Sequence, residues 1–256
     1  MSQYLTKIVS RLSSLKTALR DNLVYIGISA DENDTLSQLV PKVLEAEELI
    51  NDESHFSRCI QRTATQVYIP PGTTGIGDYV FYRYPDVTEY NLADSITSIG
   101  CYSFFGNLGI TSLTLPASLI SIDKYSFSEC SNLAEIVMPP LLTSIGDNAF
   151  ANCTALDLSS LPESLSTVGS RVFYRCASLS ITRLPEALTS IPISCFYDCT
   201  NLRLDRLPES LTSIGSYAFY NCSNMTLSYL PSGYTSIADY TFFNGTGLTL
   251  SSLPDN

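Results

Sequence analysis

LPESLTSIGSYAFYNCSNMTLSY, residues Leu207 to Tyr229, decides the fold, because its pattern recurs every 23 residues along the chain. Prolines stand at Pro116, Pro139, Pro162, Pro185, Pro208, Pro231 and Pro254. Phe81, Phe104, Phe127, Phe150, Phe173, Phe196, Phe219 and Phe242 keep the same step. So do Ile76, Ile99, Ile122, Ile145, Val168, Ile191, Ile214 and Ile237, and a further register holds Leu133, Leu156, Leu179, Leu202, Met225 and Leu248. Self-similarity at a fixed period of this length marks stacked repeats.

With the proline as position 1, the unit reads P-x-x-L-T-S-I-G-x-x-A-F-x-x-C-x-x-L-x-L-x-x-L. L-T-S-I alternates and carries β-branched residues, which predicts a strand of three or four residues. The glycine that follows, as at Gly146, Gly169 and Gly215, permits a sharp turn. A-F-x-x-C predicts one helical turn with Ala and Phe inward. L-x-L-x-x-L predicts a second short strand, and the proline closes the coil where no ladder donor is needed. No single unit can bury its own Phe, Ile and Leu, but stacked units bury them as continuous columns. At about 4.8 Å per strand, eight coils make an array on the order of 40 Å long.

The T-S-I-G-x-x-A-F-x-x-C core resembles the BspA-like class of bacterial and protist leucine-rich repeats, over roughly Val67 to Asn256. The resemblance implies a β-rich leucine-rich-repeat solenoid, a right-handed curved stack of about eight 23-residue coils, used in adhesion and protein binding. It brings no catalytic residues and no cofactor.

Composition agrees with a folded chain. Hydrophobic residues make up 45% and charged residues 15%, enough for a core and too little charge for disorder. A net charge of −11 repels phosphate, so nucleic acid and anionic membranes are poor partners. The opening MSQYLTKIVSRLSSLKTALR has no apolar stretch for a secretory signal. No run approaches the roughly 18 apolar residues of a membrane span, so no membrane insertion is expected.

Eight cysteines raise the question of a disulfide framework or a metal site. Cys130, Cys153, Cys176, Cys199 and Cys222 share one repeat position, which Asn107 and Gly245 fill elsewhere, so the column reads as small, reduced core thiols. Cys195, four residues before Cys199, lacks a histidine or second cysteine pair for zinc. His55 is the only histidine, precedes the repeats and carries no hydrolase or metalloprotease motif. No phosphate-binding glycine loop occurs. The chain is expected not to be an enzyme.

Aromatic residues are left over once the core is filled. Position 10 holds Tyr79, Tyr102, Tyr125, Tyr217 and Tyr240; position 13 holds Tyr82, Phe105, Tyr174, Tyr197, Tyr220 and Phe243. On a helical turn these sites would be three apart and share a face directed away from the core. Stacking the coils turns them into a ribbon along one flank, thinned at Asn148 and Ala151. Two readings stand: a binding surface for a protein or glycan, or rings that shield the edge of the stack.

The first fifty residues differ. Leu5, Ile8, Leu12, Leu15, Leu19 and Ile26 follow heptad spacing, with Asn22 at the missing position. Thr35 and Gln38 match a capping box ahead of a second helix, Leu36 to Ile50, which Pro41 interrupts. The run LKTALRDNLVYIGISADENDTLSQLVPKVLEA resembles small helical units in tail and fibre proteins of bacterial viruses, which implies attachment or oligomerisation. A cap over the first coil is the alternative.

The expected organisation is therefore a small α-helical anchor, oligomerisation or capping region at 1–50, a linker at 51–66 and the solenoid at 67–256. The expected function is recognition of a protein or glycan on a cell surface, as a virion tail-fibre component acting at an extracellular surface. The alternatives are a bacterial leucine-rich repeat adhesin or a structural spacer. Residues 1–50 and the uncapped C-terminal coil at Leu253-Pro254-Asp255-Asn256 are expected to mediate self-association or assembly.

Overall fold

A computed structural model describes residues 65–249 apart from residue 235. The chain divides at residue 65 into two units, and the described residues belong to the second. The expected helices at 1–50, residues 51–64 of the expected linker, His55 and the C-terminal Leu253-Pro254-Asp255-Asn256 lie outside the described residues, while Gln66, at the end of that linker, already belongs to a strand.

The T-S-I segments form the strands the sequence predicts, each only two residues long. β2 (Gly75–Ile76), β4 (Ser98–Ile99), β6 (Ser121–Ile122), β8 (Ser144–Ile145) and β9 (Thr167–Val168) make one parallel sheet. β10 (Ser190–Ile191) and β11 (Ser213–Ile214) make another. Pairing is always to the equivalent residue one period away, Ile76 to Ile99 to Ile122 to Ile145 to Val168. Just after each strand, an amide donates back to the preceding coil: Gly146 to Ile122 O, Gly169 to Ile145 O and Gly215 to Ile191 O, each at 2.8 Å. Pro192, directly after β10, stands at that position and has no N–H to give to the coil of β9, and the sheet breaks between those two strands.

The second strand of the unit is confined to the first coils. β1 (Gln66–Tyr68) pairs with β3 (Glu89–Asn91), and β5 (Ser112–Thr114) with β7 (Glu135–Val137). Those coils spell L-x-x-L-x-L, as in Ile110, Leu113 and Leu115, with alternating burial. From Leu156 onward the spelling is L-x-L-x-x-L, and no strand forms there among the described residues. Moving the inward residue one place, from Leu113 and Ile136 to Leu158, Ile181 and Leu204, reduces the link between coils to isolated bonds such as Arg203 N to Ile181 O at 3.1 Å.

No helix occurs among the described residues, so the helical turn expected at A-F-x-x-C is corrected. Positions 10 and 14 instead adopt left-handed backbone: Tyr125 at φ 57° and Glu129 at φ 64° in one coil, Tyr217 at 58° and Asn221 at 56° in another. Each such residue costs about 1–2 kcal/mol. The gain is in hydrogen bonding. Alternating the hand of the backbone turns the amides of positions 10, 12 and 14 toward the next coil. Tyr125 N donates to Asp147 O at 2.9 Å, and Phe127 N and Glu129 N donate to Ala149 O and Ala151 O at 2.8 Å. Amides between them close turns within the coil, Ser128 N to Tyr125 O and Cys130 N to Phe127 O, both at 3.2 Å. In the next coil Ala149 N adds a turn onto Gly146 O at 3.3 Å, so every amide from Asn148 to Cys153 is used, as buried backbone requires.

The glycine after the isoleucine is also corrected. Its φ is not positive; what it supplies is room. A Cβ on Gly215 would lie 2.6 Å from Ile193 N, and one on Gly169 would lie 2.4 Å from Asp147 N.

Columns of side chains fill the interior. Phe81, Phe104, Phe127, Phe150, Phe173, Phe196 and Phe219 are at most 1% exposed. From Phe104 to Phe242 their rings stack near-parallel, 5.0–5.7 Å apart. The isoleucine column runs buried to Ile214 and ends there, because Ile237 is exposed and belongs to no strand.

Candidate functional site

The cysteine column is structural in a specific way. Cys130, Cys153, Cys199 and Cys222 each place the thiol 3.0 Å from the carbonyl of the core phenylalanine 26 residues earlier, and Cys176 does so at 3.1 Å. Burial raises their pKa values, Cys130 to about 12, so they stay protonated donors. Asn107 replaces the thiol with its amide, 2.7 Å from Phe81 O, and its carbonyl accepts from Tyr90 Oη at 2.6 Å. All seven cysteines among the described residues are free. No group of three or more His, Cys, Asp or Glu gathers there to hold a metal ion. No described helix is long and apolar enough to cross a membrane.

The aromatic residues of positions 10 and 13 do share a flank, although no helical turn carries them. Left-handed backbone at position 10 sets the two rings of a coil 5.7–5.9 Å apart, as in Tyr102 with Phe105 and Tyr217 with Tyr220. Along the stack the rings face one another. Tyr79, Tyr102 and Tyr125 lie 5.0 and 4.6 Å apart, both pairs tilted by 6°, and Tyr82 stacks on Phe105 at 5.2 Å. Further on, Tyr174, Tyr197, Tyr220 and Phe243 form one stack at 4.6–5.0 Å, and Tyr217 stacks on Tyr240 at 5.0 Å. Each pair contributes about 0.5–1.5 kcal/mol beyond area burial, so the rings do pack coil against coil. They are not thereby hidden: Tyr79 and Tyr240 keep 54% and 56% exposure and Phe243 keeps 46%.

The ribbon is in fact two clusters. Tyr79, Tyr82, Tyr102, Phe105 and Tyr125 form the first, and Tyr174, Tyr197, Tyr217, Tyr220, Tyr240 and Phe243 the second. Between them position 10 carries Asn148, Arg171 and Ser194, and position 13 carries Ser128 and Ala151. An open groove of about 710 Å³ occupies the gap. Tyr102, Phe105 and Tyr125 line one end and Tyr174, Tyr197 and Tyr217 the other; Ser128, Ala151 and Asn148 lie between. Glu129, Asn152 and Arg171 add polar groups at its margin, with Asn152 Nδ2 donating to Glu129 Oε1 at 2.7 Å. The Arg175 guanidinium sits 5.2 Å from the Tyr174 ring and 3.6 Å from Asp198.

Sequence reasoning named the rings and noted the thinning at Asn148 and Ala151. It missed Ser128, Glu129, Asn152, Arg171 and Ser194. The signal available was the absence of aromatics at both positions over consecutive coils.

Comparison with known proteins bears on the repeat. The BspA type leucine rich repeat region matches residues 50–180 and 166–256, in six copies. The chain belongs to this family. The 23-residue period suggests about eight coils, of which the family pattern recognises six copies. A BspA-type solenoid accounts for the parallel sheets at one-period register and for the stacked columns. A leucine-rich repeat protein of T. pallidum is 29% identical with a TM-score of 0.59, the match covering 64% of this chain and 78% of that one. One from Bacteroides ovatus is 27% identical with a TM-score of 0.49, over 63% of this chain and 48% of that one. The pneumococcal vaccine antigen PcpA is 21% identical with a TM-score of 0.54, over 74% and 50%, a likeness of fold. The chain thus spans about half the length of the last two. No curated protein matches.

Proposed function

We propose that this BspA-type repeat protein is a non-enzymatic binding protein that recognises a protein or glycan on a cell surface through its aromatic flank. One observation carries the reading: two clusters of part-exposed rings, fixed by hydrogen-bonded turns, bound a groove of about 710 Å³ that also holds amide, carboxylate and guanidinium groups. Rigid aromatic anchors beside a few polar groups are what recognition sites present. The left-handed backbone at position 10 serves the pairing of coils and does not itself call for tyrosine, since Asn148, Arg171 and Ser194 adopt it too.

Display at an extracellular or virion surface, with residues 1–50 as assembly contacts, is part of this proposal. Its support is the sequence of residues 1–50. The experiment is a binding screen of the full chain against intact bacterial and animal cells, with wild type beside Tyr217→Ser/Tyr220→Ser. The double variant is expected to keep the fold and lose cell binding. A folded double variant with full affinity would refute the flank as the site.

A further inference from the structure

The groove differs from the rest of the flank in one respect: rings end there. Inside each cluster a ring has another beside it along the stack, so its π-face is taken. Tyr125 stacks on Tyr102, but Asn148 rather than a ring follows it in its column. Phe105 stacks on Tyr82, and Ser128 follows. Across the gap, Tyr217 stacks on Tyr240 with Ser194 before it, and Tyr174 stacks on Tyr197 with Ala151 before it. Phe105 and Tyr174 are three periods apart, about 14 Å at the strand spacing. A planar or chair-shaped apolar face needs about 4 Å to rest against an aromatic ring. The gap therefore admits two such faces, one against each end, with further atoms between them.

The walls ask for flat patches of C–H, and the surroundings ask for hydroxyls. Asn148 and Asn152 offer amides, Glu129 an acceptor and Arg171 donors, one acid against one base, which selects for no net charge. Ala151 and Ser128, both buried, keep the middle of the groove shallow and small.

The same geometry argues against an extended peptide. A strand added to the groove would need unpaired backbone amides, and those of Asn148, Ala151 and Asn152 are taken. Asn148 N donates to Ser170 O and Asn152 N to Tyr174 O, both at 2.8 Å, while Ala151 N closes its own turn onto Asn148 O at 3.1 Å.

We infer that the groove between Phe105 and Tyr174 is a site for an uncharged oligosaccharide, whose sugar faces stack on the open ring ends and whose hydroxyls meet the Asn, Glu and Arg groups. The inference rests on the aromatic flank being the binding surface and adds its ligand class.

The test uses the full chain, an array of neutral, sialylated and sulfated oligosaccharides, and cells pretreated with glycosidases or with protease. The key variant is Ala151→Tyr. Position 13 is a tyrosine in the following coil, Tyr174, so this substitution is expected to continue that stack, keep the fold and fill the groove. Circular dichroism and thermal unfolding check that it does. The expected result is binding to neutral oligosaccharides and to untreated cells, weakened about tenfold or more by Ala151→Tyr and abolished by glycosidase. Cell binding that Ala151→Tyr abolishes but glycosidase leaves intact and protease removes would overturn the saccharide assignment while the flank stands. Cell binding unchanged in a folded Ala151→Tyr would overturn both. Preference for sialylated or sulfated sugars would overturn the uncharged class.

Discussion

Truncating one ring of the phenylalanine column should cost far more in the middle of the stack than at its end. Phe150 is fully buried and stacks on Phe127 at 5.2 Å and on Phe173 at 5.7 Å. Removing a buried phenylalanine costs about 3–5 kcal/mol, part of it the two lost ring contacts. Phe242 is only half-buried and stacks on Phe219 at 5.6 Å. Half of the about 1.5–3 kcal/mol of a fully buried large side chain gives roughly 1 kcal/mol for Phe242→Ala. Urea denaturation followed by far-ultraviolet circular dichroism should therefore separate the variants by at least about 2 kcal/mol. Coils touch only their neighbours, so Phe150→Ala should also uncouple the halves and lower the apparent m-value. Equal costs for the two variants, or a larger one for Phe242→Ala, would refute the column as the element that makes the stack cooperative.

Gly215→Ala should destabilise by about 1–3 kcal/mol, because its methyl meets backbone atoms of Pro192 and Ile193 that cannot yield. Gly233→Ala, whose nearest atom is 3.6 Å away, should change little, and thermal unfolding compares the two. Burial raises the Cys130 and Cys195 thiols from 9.0 to about 12. The folded state thus favours the protonated thiol, so stability is intact below about pH 9 and declines as pH rises from there toward 12. Chemical denaturation from neutral to alkaline pH measures it, and a curve that rises with alkalinity would contradict the burial of the column. At neutral pH the thiols of this column should resist a disulfide reagent until the chain unfolds.

The period made the columns legible, because a residue that recurs every 23 places in a stack must lie over its own copies. Phe, Ile and the free thiols followed from that. The backbone between them did not. Inward Ala and Phe with outward Tyr are satisfied equally by a helical turn and by the alternating-hand turn, and only the needs of amides in adjacent coils choose the second. Tyrosine at a left-handed position gives no warning, unlike the Asn148, Asn152 and Asn221 that share those positions in other coils. The change from L-x-x-L-x-L to L-x-L-x-x-L was present in the sequence, but a consensus averages it away. The groove was half legible: Asn148 and Ala151 marked the missing rings, whereas its polar margin sits at positions that vary from coil to coil.

The central claim, that recognition lies on the aromatic flank and not elsewhere on the solenoid, reduces to one titration. Binding of the full chain to intact cells is measured for wild type, for Ala151→Tyr and for Val137→Ser, which removes the most exposed large apolar side chain among the described residues, 74% accessible on β7. Loss of binding with Ala151→Tyr and none with Val137→Ser is the predicted result. Loss with Val137→Ser while Ala151→Tyr binds as wild type would contradict it.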